Sequence, residues 1–457
     1  MREFTKSTLS FSWAMSLFGL KQLANLITNE NERPTEEAAS AFDTATQAMG
    51  RQFDTMFQGM FQAGDELQRE MVDTMLSSFT TQGFKANEMF KGSTHMLQHS
   101  AQSLGGLVTR QDGMLVVQEL RNKFEVFFLV ADVANKIKLP AQPPFPELPE
   151  LVERCYALGD YPALWAVEGL GHFYADTFWK ANEVPEGILS GERGEALPAK
   201  SLTMLNAGIG MSFAQHLLQS VTHLSPRTSI RRVLQQFIAL CRDNATPGYE
   251  GAALESLGLV SRSGAFTGDS QPPVLVEMIS EELESLDEPE VRDYFWHGVG
   301  RATYFLPIHF IPFYGSIPHA ADLILRSAPD ERARDNALAG LAWGVAMVNI
   351  RHPAIAANWL MQQGKNLPTE ALANGFASGL MMRGDTTPEA PFPANFHGYD
   401  PAEARLKALW QETVHEPCSE ALGTQYGVLV ERKSLGEIFR YNALTELCQR
   451  LEAQAEG

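Results

Sequence analysis

The stretch Trp165–Asp176 reads WAVEGLGHFYAD and places Gly169 and Gly171 within a run of helical periodicity. Segments of the same kind recur along the chain, at Ala207–Gly210 (AGIG), Glu250–Ala253 (EGAA), His297–Gly300 (HGVG), Ala339–Ala342 (AGLA), Asn374–Ala377 (NGFA) and Glu420–Gly423 (EALG). Their mean spacing is about 42 residues, which is the period of units built from two helices. Strand-like runs rich in Val and Ile are lacking, so the chain is expected to be all-α.

A repeat of this length predicts a HEAT-like helical-repeat solenoid over residues 150–457, with about seven Gly-x-Gly-type units. A closed α/α toroid is the alternative, because seven helical hairpins are enough to close a ring.

Glycine inside a helix costs about 1 kcal/mol relative to alanine, so its repeated placement needs a physical reason. Small residues four apart, such as Gly340 and Gly344, allow two helix backbones to approach closely. We therefore predict tight helix packing at these glycines. A phosphate-binding loop is disfavoured, because a Gly-x-Gly-x-x-Gly loop follows a strand.

Residues 1–138 are rich in Gln, Met and Phe and are followed by a Pro-rich linker, residues 139–149. Apolar residues between Phe53 and Met75 recur in steps of three and four, which predicts an amphipathic helix. Polar residues interrupt the apolar run Thr8–Ile27, which favours an amphipathic helix over a membrane span or a signal peptide. We expect residues 1–138 to form an amphipathic module that self-associates or contacts a membrane surface.

The net charge of -19, from 55 acidic and 36 basic residues, disfavours a nucleic-acid partner, because phosphate binding needs clustered Lys and Arg. The cysteines Cys155, Cys241, Cys418 and Cys448 form no C-x-x-C pair. Scattered cysteines in a chain of this length predict reduced thiols and a cytoplasmic location, with attachment at a membrane or granule surface as an alternative.

Polar side chains recur at one position of the repeat. Glu168, Glu250 and His297 precede or begin their glycine segments, and Arg301 lies one helical turn after His297. Equivalent positions of a repeat point the same way, so these side chains are expected to converge. The candidate ligand-binding residues are Glu168, His172, Glu250, His297, Arg301 and Trp343.

Two interpretations of this set stay open. The residues either form hydrogen bonds and ion pairs that satisfy buried polar groups, or they line a pocket where carboxylates and a His transfer protons. A metal site is disfavoured, because no H-E-x-x-H or E-x-x-H helix motif is present. No catalytic residue and no cofactor can be assigned from the sequence.

The segments Tyr294–Phe305 (YFWHGVGRATYF) and Ala337–Ile350 (ALAGLAWGVAMVNI), together with Trp165–Asp176, resemble an uncharacterised bacterial family. That family is often encoded beside enediyne-type iterative polyketide synthases, and the resemblance covers about residues 160–385. It implies a context, specialised-metabolite biosynthesis, and no reaction. Residues 35–110 resemble phasins, the amphipathic helical proteins that coat polyester granules, in composition alone.

These observations together predict an accessory protein of polyketide-type biosynthesis that holds a hydrophobic small molecule or a partner protein. One alternative is an enzyme with a Glu/His/Arg pocket that acts on a polyketide-derived substrate. A phasin-like surface-coating structural protein is the other alternative.

Overall fold

The computed structural model describes residues 110–140, 144–181, 183–263, 271–306, 309 and 316–456. All regular secondary structure within these residues is helical, which confirms the predicted all-α class. The predicted amphipathic helices at Thr8–Ile27 and Phe53–Met75 lie outside the described residues.

The first part of the described chain contains α1 (Arg110–Ala131), α2 (Val133–Lys136), α3 (Leu148–Tyr156), α4 (Asp160–Lys180), α5 (Glu192–Glu195), α6 (Ala199–Leu218), α7 (Arg227–Asn244), α8 (Glu250–Ser263), α9 (Pro272–Ser285) and α10 (Pro289–Tyr304). The second part contains α11 (Ser316–Ser327), α12 (Glu331–Val348), α13 (Pro353–Gln363), α14 (Thr369–Thr386), α15 (Phe392–His397), α16 (Ala404–Trp410), α17 (Glu416–Glu420), α18 (Tyr426–Glu431) and α19 (Leu444–Glu456). Two short π-helical turns join α16, α17 and α18.

The helices form two rows that differ in burial. The glycine-bearing helices α4, α6, α8, α10, α12 and α14 pack each against the next, while α7, α9, α11 and α13 lie beside them. Every residue of α10 from Val291 to Tyr304 is buried. Helix α7 buries one apolar face that includes Leu234 and Phe237 and leaves its polar face exposed. A helix buried on all sides belongs to a core and an amphipathic helix to its cover, so the glycine-bearing row is the core of the described body.

The glycines lie where neighbouring backbones touch. A Cβ atom added to any of the following glycines would overlap a backbone carbonyl oxygen of another helix or segment: Gly169, Gly171, Gly208, Gly210, Gly251, Gly258, Gly298, Gly300, Gly340 and Gly375. The contacts are reciprocal between α10 and α12, where Gly300 meets the carbonyl of Ala337 and Gly340 meets that of His297. The predicted tight packing is therefore observed at these positions. Gly344 and Gly379, each four residues further on, have room for a Cβ.

The neighbouring glycine-bearing helices α10 and α12 run in the same direction. Near the start of α10, Asp293 accepts hydrogen bonds from Arg332 and Asn336 of α12. At the other end, the hydroxyl of Tyr304 accepts a hydrogen bond from Asn349, which follows α12. The two helices are therefore parallel along their length.

Helix α14 contacts the beginning of the row as well as α12. The Arg383 guanidinium donates to the carbonyl oxygens of Asp160 and Tyr161 at the start of α4. The hydroxyl of Thr203 in α6 donates to Asp385 at 2.8 Å. The first and last helices of the row thus touch through side chains.

Helix α1 is held on this body by buried polar groups. The ammonium of Lys123 lies 3.0 Å from Glu119 and 3.0 Å from the hydroxyl of Ser316, and 3.7 Å from the centre of the Tyr304 ring. Burial lowers the pKa of Lys123, while Glu119 acts to raise it. Asn122 donates to Asn349 at 2.9 Å, which ties α1 to the end of α12.

The compact unit of the described chain consequently begins at Met114. It includes α1 from Met114 onward, a stretch that lies within the predicted module of residues 1–138. A polar, Gln-rich composition concealed that Glu119, Asn122 and Lys123 are buried partners of the repeat helices.

The seventh glycine segment, Glu420–Gly423, makes no close approach. It lies at the end of α17 and in the π-helical turn that follows, and a Cβ added to Gly423 would have no neighbouring atom within 4 Å. Close backbone contact therefore occurs at the six preceding glycine segments and not at Glu420–Gly423.

The role of the glycines can be tested with one buried position and one open position. Gly300→Ala should destabilise the protein by about 2 kcal/mol or more, because the new methyl group must displace the α12 backbone at Ala337. Gly427→Ala, in α18 where a Cβ meets nothing within 4 Å, should be neutral or stabilising by up to about 1 kcal/mol. Urea denaturation of both variants measures the difference, and equal effects would show that steric contact is not the cause.

Candidate functional site

Four charged or titratable side chains meet in the core. Arg301 of α10 donates through Nη2 to Glu168 of α4 and through Nη1 to Glu255 of α8, the latter at 2.9 Å. Nδ1 of His297, one turn before Arg301, donates to the other oxygen of Glu255 at 2.9 Å. We call Glu168, Glu255, His297 and Arg301 the core ionic cluster.

The close backbone contacts explain why these side chains converge. The carbonyl of Glu168 is touched by Gly208 of the next helix, that of Glu255 by Gly298, and that of His297 by Gly340. The three residues therefore occupy one structural position of the repeat.

This alignment corrects the third unit of the sequence repeat. The unit that matches EGLG at Glu168–Gly171 is ESLG at Glu255–Gly258, and the EGAA segment at Glu250 is five residues out of step. Ser256 takes the place of the first glycine, and its hydroxyl donates to the carbonyl of Ala207 at 2.9 Å. The prediction that Glu250 joins the cluster is wrong, since its carboxylate accepts from the backbone N–H of Gly248 at the start of α8.

The other predicted residues fall into two groups. Trp343 lies on α12, one turn after the position that corresponds to His297. Its ring centre is 4.6 Å from the guanidinium carbon of Arg301. His172 lies at the edge of the body instead, where its Nε2 donates to Gln215 at 2.8 Å. The structure thus brings together Glu168, His297, Arg301 and Trp343, and it adds Glu255.

The cluster is sealed from solvent. Glu255 and His297 are 0% exposed, Glu168 is 2% exposed and Arg301 is 4% exposed. Buried charges are tolerated where opposite charges and hydrogen bonds compensate for lost hydration, and Arg301 supplies both for two carboxylates.

The two carboxylates differ electrostatically. Burial raises the pKa of Glu168 above its ordinary value, and this outweighs the opposing effect of Arg301. Burial also acts to raise the pKa of Glu255, but the combined influence of Arg301 and His297 lowers it. The pKa of Arg301 is raised by the two carboxylates, although burial opposes them. The cluster therefore favours an ionised Glu255 and a charged Arg301, with Glu168 as the carboxyl that is easier to protonate.

Aromatic rings close one side of the cluster. His297 makes edge contacts with Trp343 and Phe439, at 6.4 Å and 6.5 Å between ring centres. Nε2 of His297 and Nε1 of Trp343 are buried without a hydrogen-bond partner among the described residues. The cluster thus holds one imidazole nitrogen that could take part in proton transfer if a substrate reached it.

A second buried carboxyl escaped the sequence analysis. Asp385 of α14 accepts hydrogen bonds from Thr203 at 2.8 Å and from the Tyr426 hydroxyl at 3.0 Å. Burial raises the pKa of Asp385 to about 6, because these two hydroxyls only partly offset the lost hydration. No repeat motif marks Asp385, so only its contacts with α6 and α18 reveal it.

The described residues also form two open pockets at the N-terminal ends of α10, α12 and α14. The larger has a volume of about 470 Å³ and is lined by residues of α10, α12 and the segment 440–443. The smaller, about 320 Å³, lies beside α12 and α14. Tyr441 lines both, and most of the other lining side chains are polar or charged. Neither pocket includes a residue of the core ionic cluster.

Comparison with protein-family models, curated proteins and solved structures finds no match. Among the described residues, no set of three His, Cys, Asp or Glu side chains is arranged to hold a metal ion. No helix in that part of the chain has the length and apolarity needed to cross a membrane.

Arg301 should be essential for the stability of the core ionic cluster. Arg301→Met should destabilise the protein by about 3–5 kcal/mol, because it leaves two buried carboxylates without a cation. Adding Glu168→Gln and Glu255→Gln should recover a large part of that loss, since the buried negative charges are then removed. Urea denaturation of the single and triple variants measures the coupling, and additive losses would contradict it.

The raised pKa of Asp385 predicts that the stability of the protein decreases as the pH rises. Its folded-state pKa of about 6 exceeds the ordinary value of 3.8, so folding favours the protonated form. Stability from this group is full below about pH 4 and is lost as the pH rises through about 6, by about 3 kcal/mol in total. Asp385→Asn should therefore raise the melting temperature at pH 7.5 and leave it nearly unchanged at pH 4. An equal effect at both pH values would contradict the assignment.

Proposed function

We propose that this chain is a non-catalytic accessory protein whose helical body serves as a rigid scaffold for a partner protein. The observation that supports the proposal most directly is the sealing of the core ionic cluster. Its acid–base groups are at most 4% exposed and are paired with one another. A substrate would have to separate buried core helices to reach them.

The architecture proposed for this scaffold is a helical repeat whose row of glycine-bearing helices closes on itself. The contacts of Arg383 with α4 and of Thr203 with Asp385 support the closed α/α arrangement over an open HEAT-like solenoid. In an open solenoid each repeat contacts only its neighbours. Closure limits relative motion of the repeats, which suits a surface that must keep its shape.

A partner protein is favoured over a hydrophobic small molecule as the main ligand. Small-molecule sites of the hydrophobic kind are enclosed and mostly apolar. The two pockets described above are open and lined largely by Arg, Asp, Glu and Asn. The sequence resemblance suggests specialised-metabolite biosynthesis as the setting, in the cytoplasm. Residues ahead of the compact unit that begins at Met114 are proposed to self-associate or to contact a membrane or granule surface.

An enzyme is the second candidate, and Nε2 of His297 favours it, because this nitrogen has no hydrogen-bond partner among the described residues. The same cluster contains Glu168, a carboxyl of raised pKa, and an imidazole and a carboxyl of this kind can transfer protons. This function requires a conformation in which substrate enters between α4, α8 and α10.

Native mass spectrometry of the full-length protein purified from its own host distinguishes these functions. The scaffold proposal predicts a stoichiometric complex with a second polypeptide and no retained hydrophobic small molecule. His297→Gln should keep that complex at temperatures where the variant is folded. A retained small molecule without a polypeptide would contradict the scaffold proposal, as would a bound metabolite that is converted by the wild type but not by His297→Gln.

A further inference from the structure

The larger open pocket has a positively charged lining in a strongly acidic protein. Its walls come from the start of α10, the start of α12, the segment 440–443 and α19. The lining residues are Pro289, Glu290, Asp293, Arg332, Asn336, Arg440, Tyr441, Asn442, Ala443 and Arg450. Three guanidinium groups thus face two carboxylates, whereas the whole chain carries a net charge of -19.

One buried carboxylate orients two of the guanidinium groups. Asp293, only 5% exposed, accepts from Nε and Nη2 of Arg332 at 2.6 Å and 2.5 Å, and lies 3.6 Å from Nη1 of Arg440. Arg440 is also held by Glu437 at 2.6 Å. These ion pairs fix the direction of both guanidinium groups before any ligand binds.

The third guanidinium group keeps its donors available. Arg450 is exposed, and no ion pair or hydrogen bond of the described residues involves it. Arg332 also remains 53% exposed on its side chain despite its pairing with Asp293. The pocket therefore offers donors that its own carboxylates do not use.

The wall of the pocket formed by the segment 440–443 is fixed by the side-chain amide of Asn336. Oδ1 of Asn336 accepts from the backbone N–H of Tyr441 at 2.7 Å, and Nδ2 of Asn336 donates to Asp293 at 3.2 Å. Asn442 donates to Glu437 at 3.0 Å and 3.2 Å, to its carbonyl and its carboxylate. The segment 440–443 is thereby fastened to α12, and the cavity keeps its shape without a ligand.

We propose that this pocket binds the carboxylate or phosphate group of a small molecule, with Arg450 and Arg332 as the main donors. Guanidinium groups donate charge-assisted hydrogen bonds to carboxylate and phosphate oxygens. Asp293 occupies Nε and Nη2 of Arg332, so Arg332 would donate through Nη1 from a fixed position, while Arg450 has no ion pair among the described residues. The proposal is independent of the scaffold function, because the pocket lies apart from the core ionic cluster and can operate in an enzyme or in a scaffold.

Isothermal titration calorimetry of the full-length protein with inorganic phosphate and, separately, with succinate tests the proposal at constant ionic strength. We expect saturable binding of at least one anion, and the two titrations identify which group the pocket prefers. Arg450→Ala should weaken that binding about tenfold, since it removes charge-assisted hydrogen bonds from an exposed side chain. Arg232→Ala, an exposed arginine of α7 outside the pocket, changes the net charge equally and should leave the affinity unchanged.

A variant that removes a negative charge from the pocket provides a second test. Glu290→Gln removes a lining carboxylate that is 66% exposed and should tighten binding of the same anion. The proposal is overturned if neither anion binds saturably, or if Arg450→Ala and Arg232→Ala have the same affinity. Weaker binding by Glu290→Gln would also contradict it.

Discussion

The fold depends on direct contact between helix backbones. At the glycine positions a carbonyl oxygen of one helix occupies the space that a side chain would fill on its neighbour, as for Gly300 and Ala337. These contacts are too close to permit a shift of one backbone against the other. They therefore fix the position of each helix along the axis of its neighbour. The position of every other side chain in the row follows from that constraint.

The core ionic cluster is a consequence of this alignment. Glu168, Glu255 and His297 share one structural position, and parallel helices carry them to the same depth, where Arg301 reaches two helices at once. A buried ion cluster adds little net stability compared with a well-packed apolar core, but breaking it is costly. It therefore disfavours alternative alignments in which a carboxylate would lose its cation.

The sequence predicted those features that depend on local or periodic patterns of residues. Glycine spacing predicted the core helices, because a glycine recurs wherever two of these helix backbones touch. It could not place Glu255, because the EGAA segment that begins at Glu250 imitates the motif while Ser256 replaces glycine in the true unit. It also missed Lys123 and Asp385, whose burial depends on partners nearly 200 residues away in sequence.

The stability of the glycine-bearing row relative to its cover tests this account most directly. Hydrogen–deuterium exchange measured by mass spectrometry on the full-length protein should show that amides of residues 291–304 in α10 and 336–348 in α12 exchange only through global unfolding. Amides of the covering helix α7, residues 227–244, should exchange faster through local opening. Equal protection of α7 and α10, or faster exchange in α10 and α12 than in α7, would contradict the claim that backbone contacts at the glycines hold the structure together.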